Sequence, residues 1–267
     1  MIKLRNLRKV FNPGSINENL AVDKVSMDIK TGDFITIIGS NGAGKSTLLN
    51  LISGVYPPDR GKVVIDGRNV TGLKEYQRAG FIGRVFQDPM MGTCASMTIE
   101  ENFSMAKARG IRRGLRFGVN RKARRLFKEK LSVLDLGLED RLKDKVGLLS
   151  GGQRQSLTLL MATLNSPKVL LLDEHTAALD PKTAQQVIDL TKTIVEESSL
   201  TTIMVTHNMQ QAIDIGTRLV MMHRGNIIMD VKGPEKMKLT VDDLLEEFRK
   251  VRGNLTDRTM LTIRKES

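Results

Sequence analysis

One stretch, Gly39-Ser40-Asn41-Gly42-Ala43-Gly44-Lys45-Ser46-Thr47, constrains this chain more than any other. It fits the phosphate-loop pattern G-x-x-x-x-G-K-[ST]. Residues 33–38 before it read as a short buried strand, and Leu48, Leu49, Leu51 and Ile52 after it have helical spacing. Glycines let backbone N–H groups turn inward around a phosphate, and the helix N-terminus adds its positive dipole end. In such a loop Lys45 reaches the β- and γ-phosphates and Ser46 ligates magnesium. A glycine-rich turn before a helix is the plainer reading, but it leaves the lysine and hydroxyl unexplained.

The rest of the chain is read outward from this loop. Residues 1–38 alternate like antiparallel strands around a loop at 12–19. Phe11 sits just before that loop, either to stack on a nucleobase or to close a strand. Lys62–Ile65 reads as a strand followed by an Asp66-Gly67 hairpin turn. Phe81–Phe86 reads as another, ending at Gln87. Residues 90–165 read as mostly helical. Val169–Leu172 is a continuous apolar run, the mark of a strand buried on both faces, and it ends at Asp173-Glu174. Asp180-Pro181 has the form of a helix N-cap with proline in the first turn. Thr201–Val205 is the next buried strand, ending at Thr206-His207. A hairpin over 219–231 and a helix around 241–251 complete the reading.

A strand ending in two carboxylates divides naturally into two roles. Asp173 suits the outer shell of a magnesium ion, and Glu174 suits polarising the attacking water. Gln87 and His207 also follow predicted strands, where parallel strand ends face a ligand crevice. Each alone is weak evidence, since strand-end polar residues often only finish a loop.

The net charge is +12, from 42 Lys+Arg against 30 Asp+Glu. Basic residues crowd 107–130, opposed only by Glu129. This is either a solvated helical face or a surface for anionic lipid headgroups. Nucleic acid is not expected, because only Phe117 and Phe127 there offer base-stacking rings. No apolar run approaches the roughly 18 residues that cross a bilayer. The single cysteine, Cys94, fits a reducing compartment, so a cytoplasmic protein is expected.

Taken as a set, Gly39–Thr47, Gln87, Leu149-Ser150-Gly151-Gly152-Gln153, Leu170–Glu174, Ala178-Leu179-Asp180 and His207 resemble the ATPase domain of ATP-binding cassette (ABC) proteins. The motifs stand in family order, and the likeness covers roughly residues 1–235. The resemblance implies an α/β phosphate-loop NTPase fold of ABC type. Its mixed sheet core carries an antiparallel β subdomain and an inserted helical subdomain at about 90–165, with residues 236–267 as a C-terminal helix and tail. It implies ATP and Mg2+ as ligands, and a second copy of the chain in a head-to-tail dimer sandwiching two ATP molecules. Ser150, Gly151, Gly152 and Gln153 would then meet the nucleotide bound by the partner's phosphate loop, and Asp180 would link the two sites. Phe11 stands where relatives often have tyrosine. His207 would contact the γ-phosphate, while Gln87 would serve both metal and water and relay nucleotide state to the helical segment. His175 replaces the proline, alanine or serine of many relatives, and is expected only to tune its loop.

Within the family, the segments around Glu100–Ala106 and Asp173–Pro181 resemble ATPases of tryptophan/tyrosine and other amino-acid uptake systems. That likeness implies separate permease subunits, an extracytoplasmic substrate-binding protein, and residence at the cytoplasmic face of a bacterial membrane. An exporter ATPase, a soluble cassette acting on ribosomes or DNA, and a partner in phosphonate breakdown are the alternatives.

Overall fold

The computed structural model describes residues 1–111 and 118–250. Arg112, Arg113, Arg116 and Phe117 of the basic stretch, and the chain from Val251 onward, lie outside the described residues. In chain order the elements are β1 (Ile2–Phe11), β2 (Asn19–Ile29), β3 (Phe34–Gly39), α1 (Lys45–Ser53), β4 (Arg60–Ile65), β5 (Arg68–Asn69), α2 (Glu75–Arg78) and β6 (Ile82–Val85). Then come α3 (Ile99–Lys107), α4 (Arg121–Ser132), α5 (Gly151–Thr163), β7 (Val169–Asp173), α6 (Pro181–Ser198), β8 (Thr201–Val205), α7 (Met209–Asp214), β9 (Arg218–His223), β10 (Asn226–Lys232) and α8 (Pro234–Met237). A further helix, α9, occupies 241–250.

Two sheets share one core. The first is antiparallel, in the order β2-β1-β4-β5. Its inward residues Ile2, Leu4 and Leu7 are fully buried, and the alternation slips by one at Asn6, whose φ of 47° bulges the strand. The β4–β5 turn has positive φ at both Asp66 and Gly67, as an Asp-Gly hairpin requires. The second sheet runs β10-β9-β3-β8-β7-β6, parallel from β9 through β6 and antiparallel only at β10. In β7, Val169 and Leu171 pack into one apolar cluster while Leu170 and Leu172 pack into another. That is why this strand reads as an unbroken apolar run.

The segment between β6 and β7 holds α3, α4 and α5 around an apolar cluster of its own, centred on Phe103 and Phe127 with ring centroids 5.3 Å apart. Ala123, Phe127 and Leu131 give α4 its buried stripe. Asn120 caps α4, and Thr98 with Glu101 forms a capping box on α3. Helix α5 reaches back to the sheet: a Cβ on Gly83 would lie 2.4 Å from the Ala162 carbonyl oxygen.

Two buried cations brace the ends of helices. Arg78 is fully buried and donates to the carbonyls of Leu51, Ile52, Thr71 and Leu73, closing the C-terminus of α1. Burial pulls its pKa down to about 10. Lys236 donates to the carbonyls of Ile213, Ile215 and Gly216, tying α8 to the end of α7. Beyond it, Leu244 of α9 is buried against Ile38, Ala212, Leu219 and Met221.

Candidate nucleotide site

Because β3, β8, β7 and β6 are parallel neighbours, their C-terminal ends lie along one edge. The phosphate loop follows β3, Asp173 ends β7, His207 follows β8 and Gln87 follows β6. Topology alone therefore gathers residues distant in sequence.

The loop is built on close backbone approach. A Cβ on Gly39 would meet the Met222 carbonyl oxygen at 2.4 Å. Gly44, at φ 96°, would put a Cβ 2.2 Å from the Ala21 carbonyl oxygen, so only glycine fits. Gly44 is also the N-cap of α1 and brings no side chain to that helix end. Lys45 lies folded into the loop, its Nζ donating to the carbonyl oxygens of Gly39 (2.8 Å) and Ser40 (3.2 Å). Burial lowers its pKa, and the carboxylates of Glu174 and Asp173 oppose that shift.

Asp173 is the centre of the polar network. Ser46 Oγ donates to its Oδ1 at 3.1 Å, and Arg84 Nη2 lies 3.2 Å from its Oδ2. Glu174, at φ 46°, turns out of the strand while its N–H still bonds the Val205 carbonyl. His207 Nδ1 lies 3.7 Å from Glu174 Oε2. Gln87 is exposed, and the adjacent Phe86 carbonyl accepts from Nε2 of the fully buried Gln155 on α5. Arg84 and Gln155 belong to none of the motifs, and their partners Asp173 and Phe86 are remote in sequence.

His175, next to Glu174, points the other way. It is 2% exposed, with Nε2 3.2 Å from Thr191 Oγ1 on α6. Burial drops its pKa to about 4, so it is neutral at physiological pH. Phe11 packs edge-on against Tyr56, centroids 5.2 Å apart, at the end of β1.

Ser150 and Gln153 form a reciprocal capping box at the start of α5, with Gln153 Oε1 accepting from the Ser150 N–H and Ser150 Oγ accepting from the Gln153 N–H. The Gln153 side chain is thus engaged in its own helix. Gly151 and Ser150 are exposed. Gly152 is buried: a Cβ there would lie 2.1 Å from Thr183 Cγ2. Asp180 caps α6 by accepting from Thr183, which holds its carboxyl below the usual range. Beside Gly39 and Ser40, an open cavity of about 330 Å³ is lined by His207 and by Leu245, Phe248 and Arg249 of α9.

A phosphate loop on a parallel sheet edge, facing a strand-end carboxylate pair, defines a phosphate-loop nucleotide hydrolase. The chain belongs to the ABC transporter family, whose model matches residues 22–177, and it is an ATPase of that class. It is 49% identical to the Tyrosine transport ATP-binding protein of Clostridioides difficile (strain R20291), covering 93% of this chain and 98% of that one. It is 36% identical to Methionine import ATP-binding protein MetN 1 of Oceanobacillus iheyensis, covering 91% of this chain and 71% of the relative. Among solved structures, a dimeric ATP-binding cassette in a post-hydrolysis state with ADP and phosphate superposes with a TM-score of 0.75. The identity there is 31%, over 87% of this chain and 98% of that one. The ABC-type fold read from the motifs is the fold observed.

Proposed function

We propose that this chain is the energy-coupling ATPase of a bacterial importer for an amino acid, with tyrosine and tryptophan the favoured cargo. The observation that carries this reading is the near end-to-end likeness to a tyrosine transport ATP-binding protein. The import ATP-binding proteins among the other relatives support the direction of transport.

In this reading the phosphate loop and Lys45 hold the β- and γ-phosphates of ATP. Lys45 is already desolvated there and held by two loop carbonyls. Glu174 takes the proton of the attacking water as its oxygen bonds the γ-phosphorus and the β–γ bridge breaks. His207, beside Glu174, contacts the γ-phosphate. Phe11 stacks on the base from the end of β1.

The donors at Asp173 fit magnesium. They are the Ser46 hydroxyl and the Asp173 carboxylate, and no cluster of three or more acidic, His or Cys residues occurs among the described residues. A site that sparse suits an ion that keeps most of its waters and takes further ligands from phosphates. Ser46 would hold the ion directly, with Asp173 behind its water shell and Gln87 beside it. When bound, Mg2+ neutralises charge on the phosphate oxygens.

Half the site comes from a second copy, arranged head to tail, whose Ser150, Gly151 and α5 N-terminus approach the γ-phosphate. Gly152 and Gln153 support that turn, and Asp180 joins the two sites. Separate permease subunits dock on the helical segment. A groove of about 360 Å³ lined by Tyr76, Phe86, Met91 and Arg109 supports that contact. An extracytoplasmic binding protein supplies the cargo. In this reading the chain is peripheral, at the cytoplasmic face; among the described residues no helix is long and apolar enough to cross a membrane. Arg121, Lys122, Arg125 and Lys130 are exposed on α4, which suits a nearby anionic bilayer.

The test is affinity purification of the full chain from mildly solubilised native membranes, with partners identified by mass spectrometry. A multi-span permease with an extracytoplasmic binding protein is expected. Ribosomal or DNA-repair partners without a permease would overturn the transport reading.

A further inference from the structure

Arg84 is an unusual neighbour for a magnesium site. It projects from β6, and its guanidinium is placed by three contacts at once. Nη2 reaches Asp173 Oδ2 at 3.2 Å, and Nη1 lies 3.3 Å from Ser53 Oγ at the end of α1. The guanidinium carbon stands 4.5 Å over the Phe86 ring, and Nε is buried without a hydrogen-bond partner among the described residues. Side-chain exposures are 11% for Arg84 and 15% for Asp173, so the pair is little screened by solvent.

Both oxygens of Asp173 are therefore engaged, one by the Ser46 hydroxyl and the other by a cation. We infer that Arg84 is a built-in counter-ion of Asp173, a positioning residue that keeps the carboxylate oriented yet unable to hold a divalent cation until nucleotide phosphates arrive. This inference rests on the reading of Ser46 and Asp173 as the magnesium site.

The physical reason is a balance of charge. Asp173 is one carboxylate, and Arg84 cancels it at contact distance. A divalent ion approaching Ser46 then meets a locally neutral pair. The phosphates of ATP would supply the negative charge that the neutral pair lacks. Arg84 at Oδ2 would keep the carboxylate oriented meanwhile. Such an arrangement makes metal loading depend on nucleotide and suppresses idle binding of cellular Mg2+. A mere strap between β6 and β7 would place the same hydrogen bond but would not set metal affinity.

The test uses the full chain and Mn2+, followed by electron paramagnetic resonance of the free ion, with Tm measured in parallel. Without nucleotide, Arg84→Gln is expected to bind Mn2+ at least about tenfold more tightly than the wild type, since the nearby positive charge is gone. Arg84→Lys, which keeps the charge, should stay near wild type. With a non-hydrolysable ATP analogue present, Asp173→Asn should weaken Mn2+ binding in an otherwise wild-type chain. Loss there with no gain in Arg84→Gln would overturn the counter-ion role and leave the metal-site reading standing. No effect of Asp173→Asn would overturn the metal-site reading itself. Should Arg84→Gln fold poorly, Arg84→Met is titrated with Mn2+ in the same way. Tighter binding than wild type without nucleotide supports the counter-ion role, and unchanged binding overturns it.

Discussion

Nδ1 of His207 and Oε2 of Glu174 face each other across 3.7 Å, with the histidine side chain 62% exposed and the carboxylate 21% exposed. The gap is too long for a hydrogen bond, and pairs of this kind commonly tighten only around a substrate. His207 follows β8 and Glu174 follows β7, so the parallel pairing of those strands sets their spacing.

Glu174→Gln keeps the shape of the side chain and removes its basicity. ATP binding should persist while hydrolysis falls by about 10²- to 10⁴-fold, the usual contribution of a positioned base. The trapped species should run as a closed dimer. Phosphate release and light scattering check the two halves, and turnover near wild type would remove Glu174 as the base.

Ser150→Arg places a long cation on an exposed helix cap. Turnover should vanish while a single chain still binds nucleotide, because the phosphate loop is untouched. Fluorescent-nucleotide titration alongside an ATPase assay separates these outcomes. Loss of binding in this variant would count against the head-to-tail arrangement.

His175 should make stability depend on pH. Its folded pKa is about 4 against an ordinary value of 6.5. The unfolded chain therefore takes up a proton first as pH falls. Full stability holds above pH 6.5 and is lost progressively toward pH 4, a loss of about 3 kcal/mol. Urea unfolding between pH 7 and 4 should show this slope, and His175→Gln should flatten it.

Arg78→Met should destabilise the chain by about 3 kcal/mol, because four carbonyls at and around the end of α1 lose their donor inside the core. Nucleotide affinity of the folded fraction should change little. Denaturant melts and nucleotide titration test the two statements separately.

What the sequence revealed and what it hid follow from the range of the interactions. The phosphate loop, the Asp180 cap and the Asp66-Gly67 turn are local, each complete within a few residues. They were legible. Arg78 and Arg84 were not, since Leu51, whose carbonyl at the end of α1 accepts from Arg78, lies 27 positions away, and Asp173 lies 89 positions from Arg84. His175 sits inside a motif, yet its chemistry is set by Thr191 on the next helix. Charge drew attention to residues 107–130, while the Ala123, Phe127 and Leu131 stripe that buries α4 went unread. Gly152 and Gln153 entered as ligands to a nucleotide, and the fold also gives them local work in packing and capping.

The contact between Gly152 and Thr183 has one more consequence. With no room for a methyl group on Gly152 against Thr183 as placed, the starts of α5 and α6 pack directly on each other, although β7 intervenes in the chain. Chimeras made with a relative are thereby constrained. A crossover placed between residues 152 and 183 joins helix starts from two parents, and tolerates it only where both parents keep the small partner and the threonine in register. Crossovers outside that interval carry the pair intact.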